Sequence, residues 1–173
     1  MVDIVLKGKV KIIVYDAKGK IIRKIKSKNY LCYYGLQGVT ALIGGLSTDY
    51  FKYVAVGDGD PTNPGNCTYV GQTINNKVYI TRTGLGHELC RKLADVIEQK
   101  TTSVNNDTLH LEAYFTSDVL SGCGLSSRIV LCETGIFNAS TEGTMLAYWI
   151  FSNIQLNVDT GGRVDVYWDV QIQ

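Results

Sequence analysis

Apolar and polar residues alternate at the start of the chain. One set of side chains lies on one side of an extended backbone: Ile4, Leu6, Val10, Ile12 and Val14. Lys7, Lys9 and Lys11 lie on the other side, and this period of two is typical of a strand with one buried face. The segment DAKGK at 16–20 supplies turn residues before a second run at 21–28, so we predict a basic β-hairpin over residues 1–28.

Residues 29–46 break this alternation. Apolar side chains recur there at helical spacing: Cys32, Leu36, Val39 and Ile43. Asn29 could cap the start of a helix and the Gly44–Gly45 pair could end it. The pattern predicts one α-helix near residues 30–45, lying against a sheet.

The remaining chain has the pattern of short strands separated by turns. Residues 51–60 are predicted to be a short strand that runs into a Gly/Asp turn, which begins a loop at 57–76. We predict further strands at 88–103, 108–116, 128–137, 144–152 and 163–173, with a second loop at 117–127. In the last strand one face is apolar: Val164, Val166, Trp168, Val170 and Ile172. Seven or eight strands without a βαβ rhythm predict a mainly β fold, an antiparallel β-sandwich or open barrel.

Length and charge refine this picture. At 173 residues, with 45% hydrophobic and 19% charged residues, the chain is expected to form a single domain (1–173), with the hairpin 1–28 attached to a sandwich body at 29–173. Residues 1–28 hold nine Lys/Arg and two Asp (+7), whereas 29–173 hold eight Lys/Arg and fourteen Asp/Glu (−6). The lysines are either a solvated face that discourages edge pairing or a contact with an acidic surface. On the second interpretation, Lys7, Lys9 and Lys11 form an interface.

The cysteines and histidines do not have the spacing of a metal site. Five cysteines lie far apart and only two histidines occur, so no zinc site, other metal or cofactor is expected. We expect mostly buried free thiols, with Cys123–Cys132, or Cys67 with a neighbour, as the alternative bridges.

No catalytic constellation emerges from the motifs. The GDGD segment at 57–60 lacks the residues that complete a phosphate loop or a calcium loop and indicates a turn. His87 and Cys90 are three residues apart, which places them on opposite faces of a strand. Glu133 lies in an apolar run, so its burial would require a partner such as Arg82 or Arg91. We therefore predict a structural role for Glu133, no catalytic residues and no enzymatic activity.

Four strings together resemble small structural proteins of tailed bacteriophages. YVAVGDGDPTN at 53–63 is similar to a Y-[IV]-A-[VL]-G-x-G element that ends in proline, and GLGHELCRK at 84–92 approximates an L-x-x-E-x-x-R element. An E-x-G-[IL]-F-[ND] element is matched from Glu133 through Gly135 and Phe137 to Asn138. A G-T-[ML]-L-A-x-x-x-F element is matched from Gly143 to Phe151. The resemblance covers residues 29–173; the basic hairpin and the five cysteines depart from it.

The resemblance implies a virion structural protein, a tail, spike or decoration component, that assembles with itself and with other virion proteins. Glu133, Gly135, Phe137 and Gly143 would then be structural residues. Because such particles are symmetric, a closed homo-oligomer is expected, with a trimer favoured. The alternative is a carbohydrate- or receptor-binding module that contacts a host-surface glycan through tyrosines: Tyr50, Tyr53, Tyr69 and Tyr79.

The same patterns limit the other partners and the location. The body is acidic and has no aromatic–basic platform, so nucleic acid is not an expected partner. The N-terminal segment is interrupted by lysines, unlike a signal peptide, and no window approaches eighteen apolar residues. We expect synthesis in the host cytoplasm, no membrane span, and a final location in the virion.

Overall fold

The computed structural model describes residues 6–74 and 77–172 and shows a mainly β fold of two packed antiparallel sheets. We call the sheet with strand order β2-β1-β12-β9-β8 sheet A, and the sheet with order β3-β11-β10-β4-β7 sheet B. Strands β5 and β6 form a separate two-stranded ribbon. The prediction of an antiparallel β-sandwich is confirmed.

The elements have the following bounds. The strands of sheet A are β1 (Leu6–Tyr15), β2 (Ile21–Lys28), β8 (Val96–Lys100), β9 (Thr108–Phe115) and β12 (Arg163–Ile172). Those of sheet B are β3 (Tyr30–Leu31), β4 (Tyr53–Gly57), β7 (Glu88–Leu93), β10 (Arg128–Phe137) and β11 (Met145–Asn157). The ribbon comprises β5 (Gly71–Ile74) and β6 (Lys77–Ile80), and the helices are α1 (Tyr33–Ile43) and α2 (Ser117–Gly122).

The first and last strands of the chain pair along their full lengths in sheet A. Leu6 lies opposite Ile172 and Tyr15 opposite Arg163, in an uninterrupted antiparallel ladder. The basic hairpin is therefore part of the sandwich, with β2 as an edge strand. Ile4, which the alternation assigned to the same inner face, lies outside the described residues.

The core lies between the two sheets and follows the period of two in the sequence. Sheet A contributes Val10, Ile12, Val166 and Trp168 among others, and each is at most 2% exposed. A second, smaller apolar cluster lies on the opposite face of sheet B: Cys32, Ala55, Ile80, Phe137, Met145 and Tyr148. Sheet B is thus buried on both faces, whereas the outer face of sheet A is not covered by another layer of the described chain.

Helix α1 forms as predicted but begins later. Cys32 is its N-cap and makes no side-chain capping hydrogen bond, so the expected capping by Asn29 is wrong. Helix α1 contacts β11 at Gly35. The two backbones are so close there that a Cβ atom added to Gly35 would lie 2.5 Å from the Leu146 Cα. Of the predicted apolar stripe, Cys32 is buried and Val39 packs on the core, but Ile43 is 78% exposed, and Gly35 and Leu42 complete the packed face.

Three further expectations about the elements are corrected. Residues 88–103 form two strands in different sheets, because the chain turns at Ala94–Asp95 and crosses from sheet B to sheet A. The predicted loop 57–76 includes strand β5, and the predicted loop 117–127 contains α2. The described residues hold ten strands in the two sheets plus the ribbon, more than the seven or eight predicted.

Four of the five cysteines are paired. Disulfides join Cys67 to Cys132 and Cys90 to Cys123, and Cys32 is free and buried. The expectation of mostly free thiols is wrong, as is the suggested Cys123–Cys132 pair. The two bridges attach the segment before β5 to β10, and the end of α2 to β7.

Neither helix in the described part of the chain is long and apolar enough to cross a membrane.

Candidate functional site

The outer face of sheet A carries an ordered array of charged and aromatic side chains. Because side chains alternate along a strand, Lys7, Lys9 and Lys11 of β1 all face outward, away from the core. Lys7 and Lys9 are exposed and Lys11 is half-buried. The structure therefore places the three predicted interface lysines on one open surface.

The pairing of β1 with β2 adds three more lysines to this surface. Lys28 lies opposite Lys9, Lys26 opposite Lys11, and Lys24 opposite Ile13. Among the residues that the structure describes, none of these six lysines has a carboxylate within 4.0 Å. We call Lys9, Lys11, Lys26 and Lys28 the lysine block, which is two rows of two facing ammonium groups.

The other half of the same face is a hydrogen-bonded network of fixed polar groups. His110 is 6% exposed; its Nδ1 lies 2.6 Å from Asp169 Oδ1 and its Nε2 lies 2.9 Å from Glu112 Oε1. The Tyr114 hydroxyl donates to Glu112, and this bond raises the pKa of Tyr114 to about 12. Burial raises the pKa of Glu112, but hydrogen bonds from His110 and Tyr114 outweigh it and the pKa is lowered overall.

Tyr167 and Lys11 connect the two halves. The Lys11 ammonium lies 3.5 Å from the centroid of the Tyr167 ring, the geometry of a cation–π contact. Burial lowers the pKa of Lys11, and the nearby Lys24 and Lys26 add to this effect while Glu112 opposes it. Lys11 is thus held in place, whereas Lys9, Lys26 and Lys28 are exposed.

A cleft of about 530 Å³ lies between the two halves of this face. It is lined on one side by the lysine block with Val10 and Ser27, on β1 and β2, and on the other side by Tyr167, Asp169 and His110, on β12 and β9. Lys9 lies directly opposite Asp169, and Lys11 opposite Tyr167. Lys7 is one row further along β1 and does not line the cleft. The cleft is within the size range of protein sites for small ligands.

Glu133 occupies a different place, on the outer face of sheet B. It is completely buried; its Oε1 accepts a hydrogen bond from the His87 backbone N–H and its Oε2 accepts one from the Gly86 N–H, each at 3.0 Å. The Tyr148 hydroxyl donates to Oε2 at 2.5 Å, and the Arg82 guanidinium lies 3.8 Å away. Burial and the bond to Glu133 raise the pKa of Tyr148. The partner of Glu133 is Arg82 and not Arg91, and together these contacts attach the 82–87 loop to the sheet.

Close packing and backbone conformation determine where the other predicted structural residues lie. Gly135 lies under Met145, whose sulfur would be 2.9 Å from an added Cβ atom. Phe137 is completely buried, and the Arg91 guanidinium carbon lies 3.6 Å from its ring centroid. Gly143 closes the β10–β11 turn at φ +73°, in the left-handed region that favours glycine.

Arg91, on the edge strand β7, holds this same turn across β4. Its guanidinium donates to the carbonyl oxygens of Ala139 and Glu142, at 3.0 and 2.6 Å, and pairs with Glu88. The residues of the motifs that resemble phage structural proteins therefore lie where a loop is attached to sheet B or where the chain turns.

The tyrosines proposed for glycan stacking are not gathered on one platform. Tyr50 is 63% exposed and has no ring contact within the described residues. Tyr69 packs edge-on against Tyr30 and Tyr148, with centroid separations of 4.8 and 5.8 Å. Tyr53 is half-buried, and the side chain of Tyr79 lies outside what the structure describes.

The other motif residues considered for chemistry have structural partners. His87 Nδ1 lies 2.6 Å from Asp58 Oδ1, and Cys90 is in a disulfide, so these side chains do not form a Cys–His pair. In the described ranges no group of three or more His, Cys, Asp or Glu side chains could hold a metal ion.

Sequence reasoning found part of the charged face and missed the rest. The alternation in β1 locates Lys9 and Lys11, and the hairpin register could have added Lys26 and Lys28, which alternate in the same way. His110, Tyr167 and Asp169 join them only through the pairing of β1 with β12 and of β12 with β9, for which the sequence has no local signal.

Comparisons of the chain with protein-family models, with curated proteins and with solved structures find no match.

Proposed function

We propose that this protein is a non-catalytic structural protein of a virion, a tail, spike or decoration component that works by binding copies of itself and other virion proteins. The resemblance of its motifs to small structural proteins of tailed bacteriophages supports this proposal. So does the placement of Glu133, Gly135 and Phe137, which attach and pack segments of the chain.

The observation that carries the proposal is the lysine surface on sheet A, whose six lysines outnumber the carboxylates beside them, Asp169 opposite Lys9 and Glu112 near Lys11. Six lysines of β1 and β2 face outward or lie at the edge without an ion-pair partner in the described part of the chain: Lys7, Lys9, Lys11, Lys24, Lys26 and Lys28. Like charges directly opposite each other on neighbouring strands destabilise a sheet. An arrangement that costs stability in the isolated chain becomes favourable when an acidic surface covers it.

Copies of the chain can supply such an acidic surface. Residues 29–173 carry a net charge of −6 (eight Lys/Arg and fourteen Asp/Glu), so the hairpin of one subunit and the body of the next have opposite charge. A contact between two different surfaces is heterologous and closes into a ring when the rotation permits. The proposed assembly is a closed homo-oligomer, with a trimer favoured.

The test is the oligomeric state of a Lys7→Glu/Lys9→Glu/Lys11→Glu variant, measured by size-exclusion chromatography with light scattering. We expect weaker assembly or particle binding and unchanged circular dichroism. High salt should weaken assembly of the unmodified protein, because exposed charges are screened.

Two further variants make the outcome specific. Lys18→Glu/Lys20→Glu, in the exposed β1–β2 turn, alters net charge by the same amount as Lys7→Glu/Lys9→Glu and should assemble normally. Lys7→Glu/Lys9→Glu spares the half-buried Lys11 in case the triple variant does not fold. Normal assembly of all these variants at low and high salt would show that the lysines are only a solvated face.

A host-surface glycan is the alternative partner. It is favoured by the exposure of Tyr50 at 63%, but Tyr69 is already packed against neighbouring rings and hydrogen-bonded to the backbone of Ile150. Specific binding on a glycan array, with the lysine variants assembling normally, would support this alternative.

A further inference from the structure

The lysine block has a defined spacing that limits what can bind to it. Lys9 and Lys11 are two residues apart on β1, and Lys26 and Lys28 are two residues apart on β2. A strand rises about 3.3 Å per residue, so the side chains of each pair are roughly 6.6 Å apart along the strand. The four ammonium groups therefore form two rows, and the spacing along each row equals the spacing of alternate side chains in an extended peptide.

The cleft beside the block is recognised by side chains and not by backbone groups. It lies on the face of sheet A, where the backbone of β1 is already hydrogen-bonded to β2 on one side and to β12 on the other. A ligand must therefore bind through side chains, the ammonium groups on one side and Tyr167 and Asp169 on the other, because both ring nitrogens of His110 already bond to carboxylates.

The two walls differ in mobility and chemistry. His110 is fixed between two carboxylates, so the β12–β9 side of the cleft is preorganised, and on the lysine side Lys11 is held over Tyr167. Lys9, Lys26 and Lys28 are exposed long side chains that can adjust to anions. Asp169 is 44% exposed, so it can also accept a hydrogen bond from the ligand.

We infer that this cleft takes an extended acidic segment of a partner protein, with Asp or Glu at alternate positions. Alternate side chains of an extended peptide lie on the same side with the same spacing of roughly 6.6 Å, so two successive carboxylates meet two successive lysines. The remaining donors of the peptide, its backbone N–H groups, can bond to Asp169. This inference rests on the proposed function, for which it names the chemistry of the partner.

The occupant of this cleft is another protein of the proposed assembly and not a second copy, so contacts between copies are left to the lysines outside the cleft, Lys7 and Lys24. In this sequence Asp58 and Asp60 are the only two acidic residues separated by a single position. Asp58 is 5% exposed and bonded to His87, so this pair cannot enter the cleft of a second copy. The segment must come from a different chain, such as another component of the same particle.

The experiment measures binding of two labelled peptides by fluorescence anisotropy at low ionic strength. One peptide alternates Glu and Ser; the other has the same composition with all Glu residues in one block and all Ser residues in the other. We expect the alternating peptide to bind more tightly, because only its carboxylates match the lysine repeat. Lys26→Gln/Lys28→Gln should weaken its binding about tenfold, since two charge contacts are lost.

The matched control is Lys18→Gln/Lys20→Gln, which removes the same charge from the exposed turn and should leave binding unchanged within about twofold. Lys26 and Lys28 are exposed on an edge strand, and circular dichroism would verify that the fold is kept. Equal binding of the two peptides, or equal weakening by the control, would overturn the inference in favour of unspecific charge attraction. Tighter binding of a sulfated or carboxylated disaccharide, lost in the Lys26/Lys28 variant, would overturn it in favour of a saccharide site.

The result is separable from the test of the proposed function. Failure of both peptides to bind, with assembly still weakened by the Lys7/Lys9/Lys11 variant, would refute only the acidic segment. Binding of the alternating peptide with normal assembly of that variant would refute self-assembly through this face and retain the cleft.

Discussion

Replacement of Glu133 is the most direct perturbation of the link between sequence motif and structure. Its carboxylate is fully buried and accepts three hydrogen bonds, from the backbone N–H groups of Gly86 and His87 and from the Tyr148 hydroxyl. Arg82 completes the surroundings at 3.8 Å, with its side chain 20% exposed. Glu133→Ala leaves these groups without their acceptor, and Glu133→Gln keeps the shape but removes the charge.

The cost of the Ala variant can be worked from these contacts. Leaving a buried donor unsatisfied costs about 1–3 kcal/mol, and three donors lose their acceptor here. Removing one partner of a buried ion pair typically costs about 3–5 kcal/mol. Water can enter beside the partly exposed Arg82, so we expect a loss near this second range. For a chain of this size, about 3–5 kcal/mol lowers the melting temperature by roughly 6–20 °C.

The Gln variant should be intermediate. Oε1 faces the His87 N–H and Oε2 faces the Gly86 N–H, so the new NH₂ group must point at a backbone donor in either orientation. The Tyr148 hydroxyl can turn to accept, but one backbone N–H is left without a partner. We expect a loss of about 1–3 kcal/mol.

Thermal and urea unfolding followed by circular dichroism would measure these losses under oxidising conditions. Hydrogen exchange provides a local readout, since the amides of Gly86 and His87 should exchange faster in both variants. Glu98→Gln is the control, because Glu98 is 46% exposed and its pairing with Lys100 is a surface ion pair worth little. If Glu133→Ala unfolds within about 1 kcal/mol of the unmodified protein and the two amides keep their protection, the carboxylate does not attach this loop.

Two further predictions concern the two disulfides and the Asp107 carboxylate. The Cys67–Cys132 and Cys90–Cys123 disulfides close separations of 65 and 33 residues, which corresponds to about 4 kcal/mol each in the chain-entropy model. A phosphine reductant should therefore lower the melting temperature clearly, and an unchanged melting curve would contradict the pairing. Burial raises the pKa of Asp107, but hydrogen bonds from three backbone N–H groups and a side-chain amide hold it well below the ordinary 3.8. Because the folded-state pKa is the lower one, the stabilisation is complete well above the ordinary pKa of 3.8 and is lost progressively as the pH falls from that value to the folded-state pKa. Asp107→Asn should thus lower the melting temperature at neutral pH, and this difference should shrink in acid; a constant difference would refute the assignment.

Strands at the two ends of the chain were predictable because each buries one face. In β1 and β12 the apolar residues recur at every second position, and a shift by one residue would expose all of them. The sequence did not show that residues 88–103 form two strands, because no glycine or proline marks the turn at Ala94–Asp95. At that turn the Ala94 N–H donates to the backbone carbonyl of Lys52, and the Asp95 N–H donates to the backbone carbonyl of Glu112. Both acceptors are distant in sequence.

Local signals for the second helix were present but weak. Thr116 caps α2 by accepting from the Val119 N–H, and Asp118 lies in its first turn. The Ser- and Gly-rich composition of 117–127 instead favoured a loop. The disulfides had no local signal at all, because an odd number of widely spaced cysteines leaves the pairing to the tertiary structure.

The two outer faces of the sandwich differ in how far the chain covers them itself. On sheet B the outer face is apolar, with Ala55, Phe137 and Tyr148 at 0% exposure, and the chain covers it with its own segment, held by Glu133 and by the Cys67–Cys132 bridge. Substitutions there disturb contacts that the folded chain already makes, so they change the free energy of unfolding. On sheet A the lysine block opposes like charges across β1 and β2, and no covering segment of the described chain neutralises them. Neutralising the exposed edge-strand lysines Lys26 and Lys28 removes repulsion in the free protein, so it should not weaken the fold. A surface that the fold does not need, and that costs stability until an anion covers it, is the surface expected to contact a partner.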